Sequence, residues 1–122
     1  MGDDKEGRER RKDVRATPTE SVLLVGEDVF GAVLDLSMGG VAFEMIDDDS
    51  ENPESTEVEI LLGDRGQAIE GLRVIGVSDW VVEDSSPNPK RMRRRGLRFG
   101  ELTSEQRAEL GKLIKGFLQG KE

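Results

Sequence analysis

Short runs of alternating apolar and polar residues follow one another through most of the chain, and the period changes only near residue 102. "SVLLVG" (21–26) and "VFGAVLDLS" (29–37) are rich in β-branched residues and meet at "GED", the pattern of two strands joined by a hairpin. "GGVAFEM" (39–45) predicts a third strand with Val41, Phe43 and Met45 on one face. "DDDSENPES" (47–55) reads as a solvated loop, and "TEVEILL" (56–62) as a strand alternating at Val58, Ile60 and Leu62. "GDRG" then turns the chain into a long extended stretch, "QAIEGLRVIGVSDWVVED" (67–84), which "SSPNP" interrupts before a last strand, "RMRRRGLRF" (91–99). Met92, Arg94, Gly96 and Arg98 share one face of that strand, and Arg91, Arg93, Arg95, Leu97 and Phe99 the other. Neither face is cleanly apolar, so part of it must meet solvent or a ligand.

From residue 102 the period becomes helical. Leu110, Leu113, Ile114, Phe117 and Leu118 form a stripe, and Thr103 with Gln106 matches a capping box. Gly111 and Gly116 each cost such a helix about 1 kcal/mol relative to alanine, so packing on the sheet must stabilise it. Five or six short strands followed by one helix predict a mainly β fold: a small antiparallel β-barrel, six-stranded if every run pairs, with a C-terminal α-helix at about 103–119 packed on it.

Length and composition narrow the picture. The 122 residues suit one domain with one core, and the charged, apolar-poor start predicts a flexible N-terminal tail over residues 1–9 ahead of a domain spanning 10–120. The chain contains no cysteine, which excludes disulfides and thiolate metal sites and suits a cytoplasmic setting; no secretory h-region or membrane span is legible. Net charge is −8, against a general nucleic-acid binder, but the charge is segregated. Residues 44–59 hold eight acids and no base, residues 90–98 six bases and no acid, and residues 8–15 five bases against Glu9 and Asp13. Local basic patches in an acidic chain suit a discrete anionic ligand better than a long polyanion.

Candidate chemistry is sparse. Without His, Cys or Tyr, Ser37 has no usual general base, which argues against an enzyme. An EF-hand frame starting at Asp47 fails, because Asn52 stands where glycine is needed and Val58 where the bidentate glutamate belongs. The basic strand at 90–98 offers a nucleic-acid reading, although no aromatic is interleaved for stacking. Two further stretches carry more. "RRKDVR" (10–15) sets Arg11 and Arg15 in an R-x-x-x-R spacing, preceded by Arg10, and guanidinium forks match both phosphate and the O6/N7 edge of guanine. "DLSMGG" (35–40) gathers a carboxylate, a hydroxyl and two glycines where one strand ends and the next begins; on its own it is an ordinary turn.

In this order and spacing, R-x-x-x-R at Arg11 and Arg15 followed by D-x-S-x-x-G at Asp35, Ser37 and Gly40 resembles the PilZ domain family, bacterial receptors for cyclic di-GMP. The ending "RGLRFGELTSEQRAELGKLI" is similar to the usual PilZ closing strand and helix. The resemblance implies a PilZ-type split barrel, no enzymatic activity, no cofactor, and cyclic di-GMP as ligand. Arg11 and Arg15 would grip guanine edges and phosphates, Asp35 would accept from a guanine N1/N2 edge, Ser37 would bond ligand or brace its loop, and Gly39 and Gly40 would let the backbone approach. Arg10, immediately before the paired arginines, is associated in the family with two intercalated ligand molecules. Trp80 either packs at the core or rim, or offers a stacking platform for a guanine. The resemblance further implies a free-standing receptor that orders its arginine segment over the ligand and signals to a downstream protein, with no membrane partner. The alternatives are a PilZ-like interaction module working without the dinucleotide, and nucleic-acid binding through 90–98.

Overall fold

The computed structural model describes residues 14–27, 29–47, 51–52, 54–63, 66–82 and 92–119. Six strands, β1 (Val22–Gly26), β2 (Phe30–Leu36), β3 (Gly40–Ile46), β4 (Thr56–Leu62), β5 (Gln67–Val82) and β6 (Met92–Phe99), precede one helix, α1 (Ser104–Gln119). The strands close into an antiparallel barrel in the order β1-β2-β3-β6-β5-β4. Alternation decides which side chains go inside: Leu24, Phe43, Ile60, Leu72 and Val74 are fully enclosed and make up the barrel's centre.

Three irregularities interrupt the alternation, and each re-aims side chains. Between β2 and β3 the register shifts at Val33/Asp35, so that one extra residue, Leu34, turns Asp35 outward while Leu36 returns to the core. Between β5 and β6 it shifts at Gly76/Ser78, with Val77 as the extra residue, which puts Ser78 and Trp80 on the outer face. The third lies in β5 opposite β4, where Gly71 takes a φ of +70°, open to glycine and strained for other residues.

The capping box forms as the sequence predicts. The Gln106 amide donates to Thr103 Oγ1 at 3.0 Å, and the Thr103 amide donates to Gln106 Oε1 at 2.9 Å. Gln106 Nε2 also donates to the carbonyls of Glu70 and Gly71, fastening the start of α1 to β5. Leu110, Ile114 and Phe117 are buried, and Leu113 packs partly against them. Leu118, predicted on the stripe, is instead 41 % exposed, because the buried positions at 110, 114 and 117 already fill the face that meets the barrel. No helix among the described residues is long and apolar enough to cross a membrane.

Candidate functional site

The chain enters the barrel through a two-bond bridge. The Ala16 amide donates to the Leu36 carbonyl at 2.8 Å and the Leu36 amide to the Ala16 carbonyl at 3.0 Å, with Ala16 fully buried. This clip fixes Arg15 beside the outward-turned Asp35, and Arg15 Nη1 reaches Asp35 Oδ1 at 2.5 Å. Both side chains stay accessible, at 57 % and 31 % exposure, so a ligand can reach them. Arg10 and Arg11 lie outside the described residues.

The turn from β2 to β3 is built around Ser37, which is buried. Its Oγ accepts from the amides of Gly39 and Gly40, each at 3.2 Å, and its own amide donates to the Gly40 carbonyl at 2.9 Å. Ser37 therefore braces the loop, one of the two roles the sequence suggested for it. Neither Gly39 nor Gly40 has a positive φ; among the described glycines only Gly66 and Gly71 do. Gly40 is needed for a different reason: a Cβ there would sit 2.3 Å from the Leu97 carbonyl oxygen of β6. The Gly39 carbonyl accepts from the Phe99 amide at 2.9 Å, so the turn is stitched to β6 at a second point.

A shallow outer face extends from this corner. Asp35 lies opposite Ala42, Ala42 opposite Gly96, and Gly96 opposite Ser78, a small-residue track across β2, β3, β6 and β5. At about 4.8 Å per strand it spans roughly 14 Å. Trp80 stands two residues beyond Ser78 on the same face, 48 % exposed, which places it on the surface and not in the core. Arg98, opposite Gly40 and exposed, flanks the track on its other side.

Arg93, Arg94 and Arg95 of the basic strand are each met by a carboxylate. Arg95 is fully buried on the inner face, its Nε 3.3 Å from Asp79 Oδ1 and its Nη1 3.5 Å from Met45 Sδ. Arg93 donates from Nε to Asp47 and from Nη1 to Asp79, both at 3.0 Å. These bonds, that to Asp47 first, raise the Arg93 guanidinium above its ordinary pKa. Arg94 Nε lies 2.9 Å from Glu44 Oε2 on the outside. The sequence showed the bases but not the carboxylates that meet Arg93 and Arg95, since Asp47 and Asp79 come from distant parts of the chain. Arg98 was visible only as one base in a run; its place on the face shared with Gly96 was the signal that could have separated it.

The fold is thus a closed six-stranded barrel that carries a polar, solvent-accessible corner at Arg15 and Asp35. Residues 7–116 match the family model described as PilZ domain, and the chain belongs to the PilZ family. It is similar in structure to the PilZ domain of Escherichia coli YcgR with c-di-GMP, at 15% identity and a TM-score of 0.68, covering 91% of this chain and 93% of that one. It is similar to the Bacillus subtilis inhibitor of motility MotI/DgrA, at 22% identity and a TM-score of 0.63, covering 93% of this chain and 54% of that one. A third likeness is to the Borreliella burgdorferi PlzA protein in complex with c-di-GMP, at 15% identity and a TM-score of 0.58, covering 98% of this chain and 56% of that one. This chain thus spans about half the length of the latter two. No match was found among curated protein sequences.

Proposed function

We propose that this chain is a non-enzymatic receptor for cyclic di-GMP that binds the dinucleotide at the Arg15–Asp35 corner. The observation that carries this reading is the pairing itself: the clip at Ala16 and the bulge at Leu34 set a guanidinium and a carboxylate side by side on an open face. Guanine needs that combination, donors toward O6/N7 and an acceptor toward N1/N2. Membership of the PilZ family, and solved relatives whose descriptions name c-di-GMP, support the choice of ligand.

In this reading Arg15 and Asp35 are the anchored part of the site, and Ser37 with Gly39 and Gly40 holds its floor. Arg10 and Arg11 close over the ligand from the residue 10–15 segment. Arg98 answers a phosphate, and the track over Ala42 and Gly96 leads the second guanine to Trp80. Four phosphates on two intercalated molecules suit the extra cation at Arg10, so the stoichiometry is two. Closure of the arginine segment makes the surface that a downstream protein reads.

Isothermal titration with cyclic di-GMP tests the reading. Heat with a midpoint below roughly 100 μM and two ligands per chain is the expected result, and absence of heat at that concentration refutes it. Quenching of Trp80 fluorescence at saturation tests the far end of the track separately; an unchanged spectrum removes Trp80 from the site.

A further inference from the structure

At the opposite end of β2 and β3 from the Ser37 turn, the outer face of the barrel becomes apolar. Phe30 is 64 % exposed and Ile46 57 %. Ile46 pairs with Met92, and the Ala32–Glu44 register carried two residues further sets Phe30 beside Ile46. Phe30, Ile46 and Met92 therefore form one outward row across β2, β3 and β6. They line a groove of about 850 Å³ whose other lining residues, among those described, include three carboxylates, Glu27, Glu44 and Glu51, and no base; Glu44 is paired with Arg94 just outside the groove, which leaves Glu27 and Glu51 as its open charges. Single exposed apolar side chains need no explanation, but a contiguous row beside open carboxylates, Glu27 and Glu51, marks a surface that meets something.

Charge selects the occupant. A second copy in a two-fold contact would bring the same carboxylates against each other in a chain already at −8. Anionic lipid is repelled for the same reason. The row spans about 10 Å, two inter-strand spacings, which is the rise of about seven helical residues. Three anchors at i, i+4 and i+7 of a helix fit that length, and flanking lysines or arginines fit the acidic rim.

We propose that the groove between Phe30, Ile46 and Met92 docks a cationic amphipathic helix of a partner protein. This surface lies at the other end of β2 and β3 from the Arg15–Asp35 corner and does not depend on what binds there. The acidic stretch at residues 44–59, most of which the ligand reading leaves without a role, supplies part of the rim through Glu51.

The test uses the full chain without dinucleotide and a fluorescein-labelled 18-residue helical peptide of leucines at i, i+3, i+4 and i+7 with lysines elsewhere, read by anisotropy. A peptide of the same composition with its stripe scrambled should bind at least tenfold more weakly. Phe30→Thr and Ile46→Thr, both at exposed strand positions and checked for an unchanged thermal melt, should each weaken the striped peptide about tenfold or more. Glu27→Gln with Glu51→Gln should weaken it and flatten its salt dependence. Equal binding of striped and scrambled peptides, or indifference to both threonine variants, overturns the proposal. So does a dimer in sedimentation velocity that Phe30→Thr dissolves, which would assign the groove to a second copy.

Discussion

Two groups of arginines in this chain share a chemistry and have opposite fates. Arg15 meets Asp35 at the mouth of the barrel with both side chains open to solvent. Arg95, on the densest basic run, is wholly enclosed, and Arg93 beside it is divided between Asp47 and Asp79. A guanidinium becomes a ligand site when its partner is exposed and can exchange. One that is itself enclosed, as Arg95 is, instead ties strands together, since breaking its pair leaves a charge without water. Density of charge in the sequence therefore picks out arginines that the fold pairs internally, while placement in the fold leaves Arg15 open, as the proposed site requires.

The largest effect that follows is on stability. Asp79 serves both Arg93 and Arg95 and joins β5 to β6 at the end of the barrel where β3 ends. Asp79→Ala should destabilise the fold by on the order of 3 kcal/mol in urea unfolding, toward the low end for a buried pair because Asp79 keeps some exposure. Cyclic di-GMP affinity of the folded fraction should stay within about threefold. A stability loss below about 1 kcal/mol would erase the contrast between the two groups.

Arg15→Ala should do the reverse. Losing a guanidinium contact to a guanine edge costs about 1–3 kcal/mol of binding, on the order of 10- to 100-fold in Kd by titration. The exposed pair with Asp35 contributes at most about 1 kcal/mol to folding, so the urea midpoint should barely move. Unchanged affinity with an intact fold would mean that the corner is not where the dinucleotide sits.

The strands and the helix were legible because their periods hold: Val41, Phe43 and Met45 on β3, or Val58, Ile60 and Leu62 on β4, sit inside as alternation requires. The bulges were not. Leu34 and Val77 are apolar residues in apolar runs, and nothing local marks either as the extra one, yet they decide that Asp35 and Trp80 face outward. Arg95 was legible as a base on the face it shares with Leu97 and Phe99, but its enclosure was not, because its partner, Asp79, is brought opposite it only by the second bulge. The site motif was legible as a motif, while the reason for one of its glycines was not. Gly40 looks like a turn residue, but what excludes a side chain there is the carbonyl of Leu97, a residue far along the chain.

Arg94 supplies the smallest and sharpest comparison. It belongs to the same basic strand as Arg95 but points outward, 43 % exposed, against a Glu44 that is itself partly open. By exposure it resembles Arg15; by position it lies on the strand that charge density alone would choose. Its guanidinium is already answered by Glu44 and screened by solvent, so Arg94→Ala should change folding stability by less than about 1 kcal/mol, and less still at high salt. If exposure together with adjacency to the Ser37 turn defines the site, its dinucleotide affinity should also fall by less than about threefold, well short of the Arg15→Ala loss. A loss matching that of Arg15→Ala, with stability unchanged, would extend the binding face along β6 and make the division one between inward and outward arginines alone.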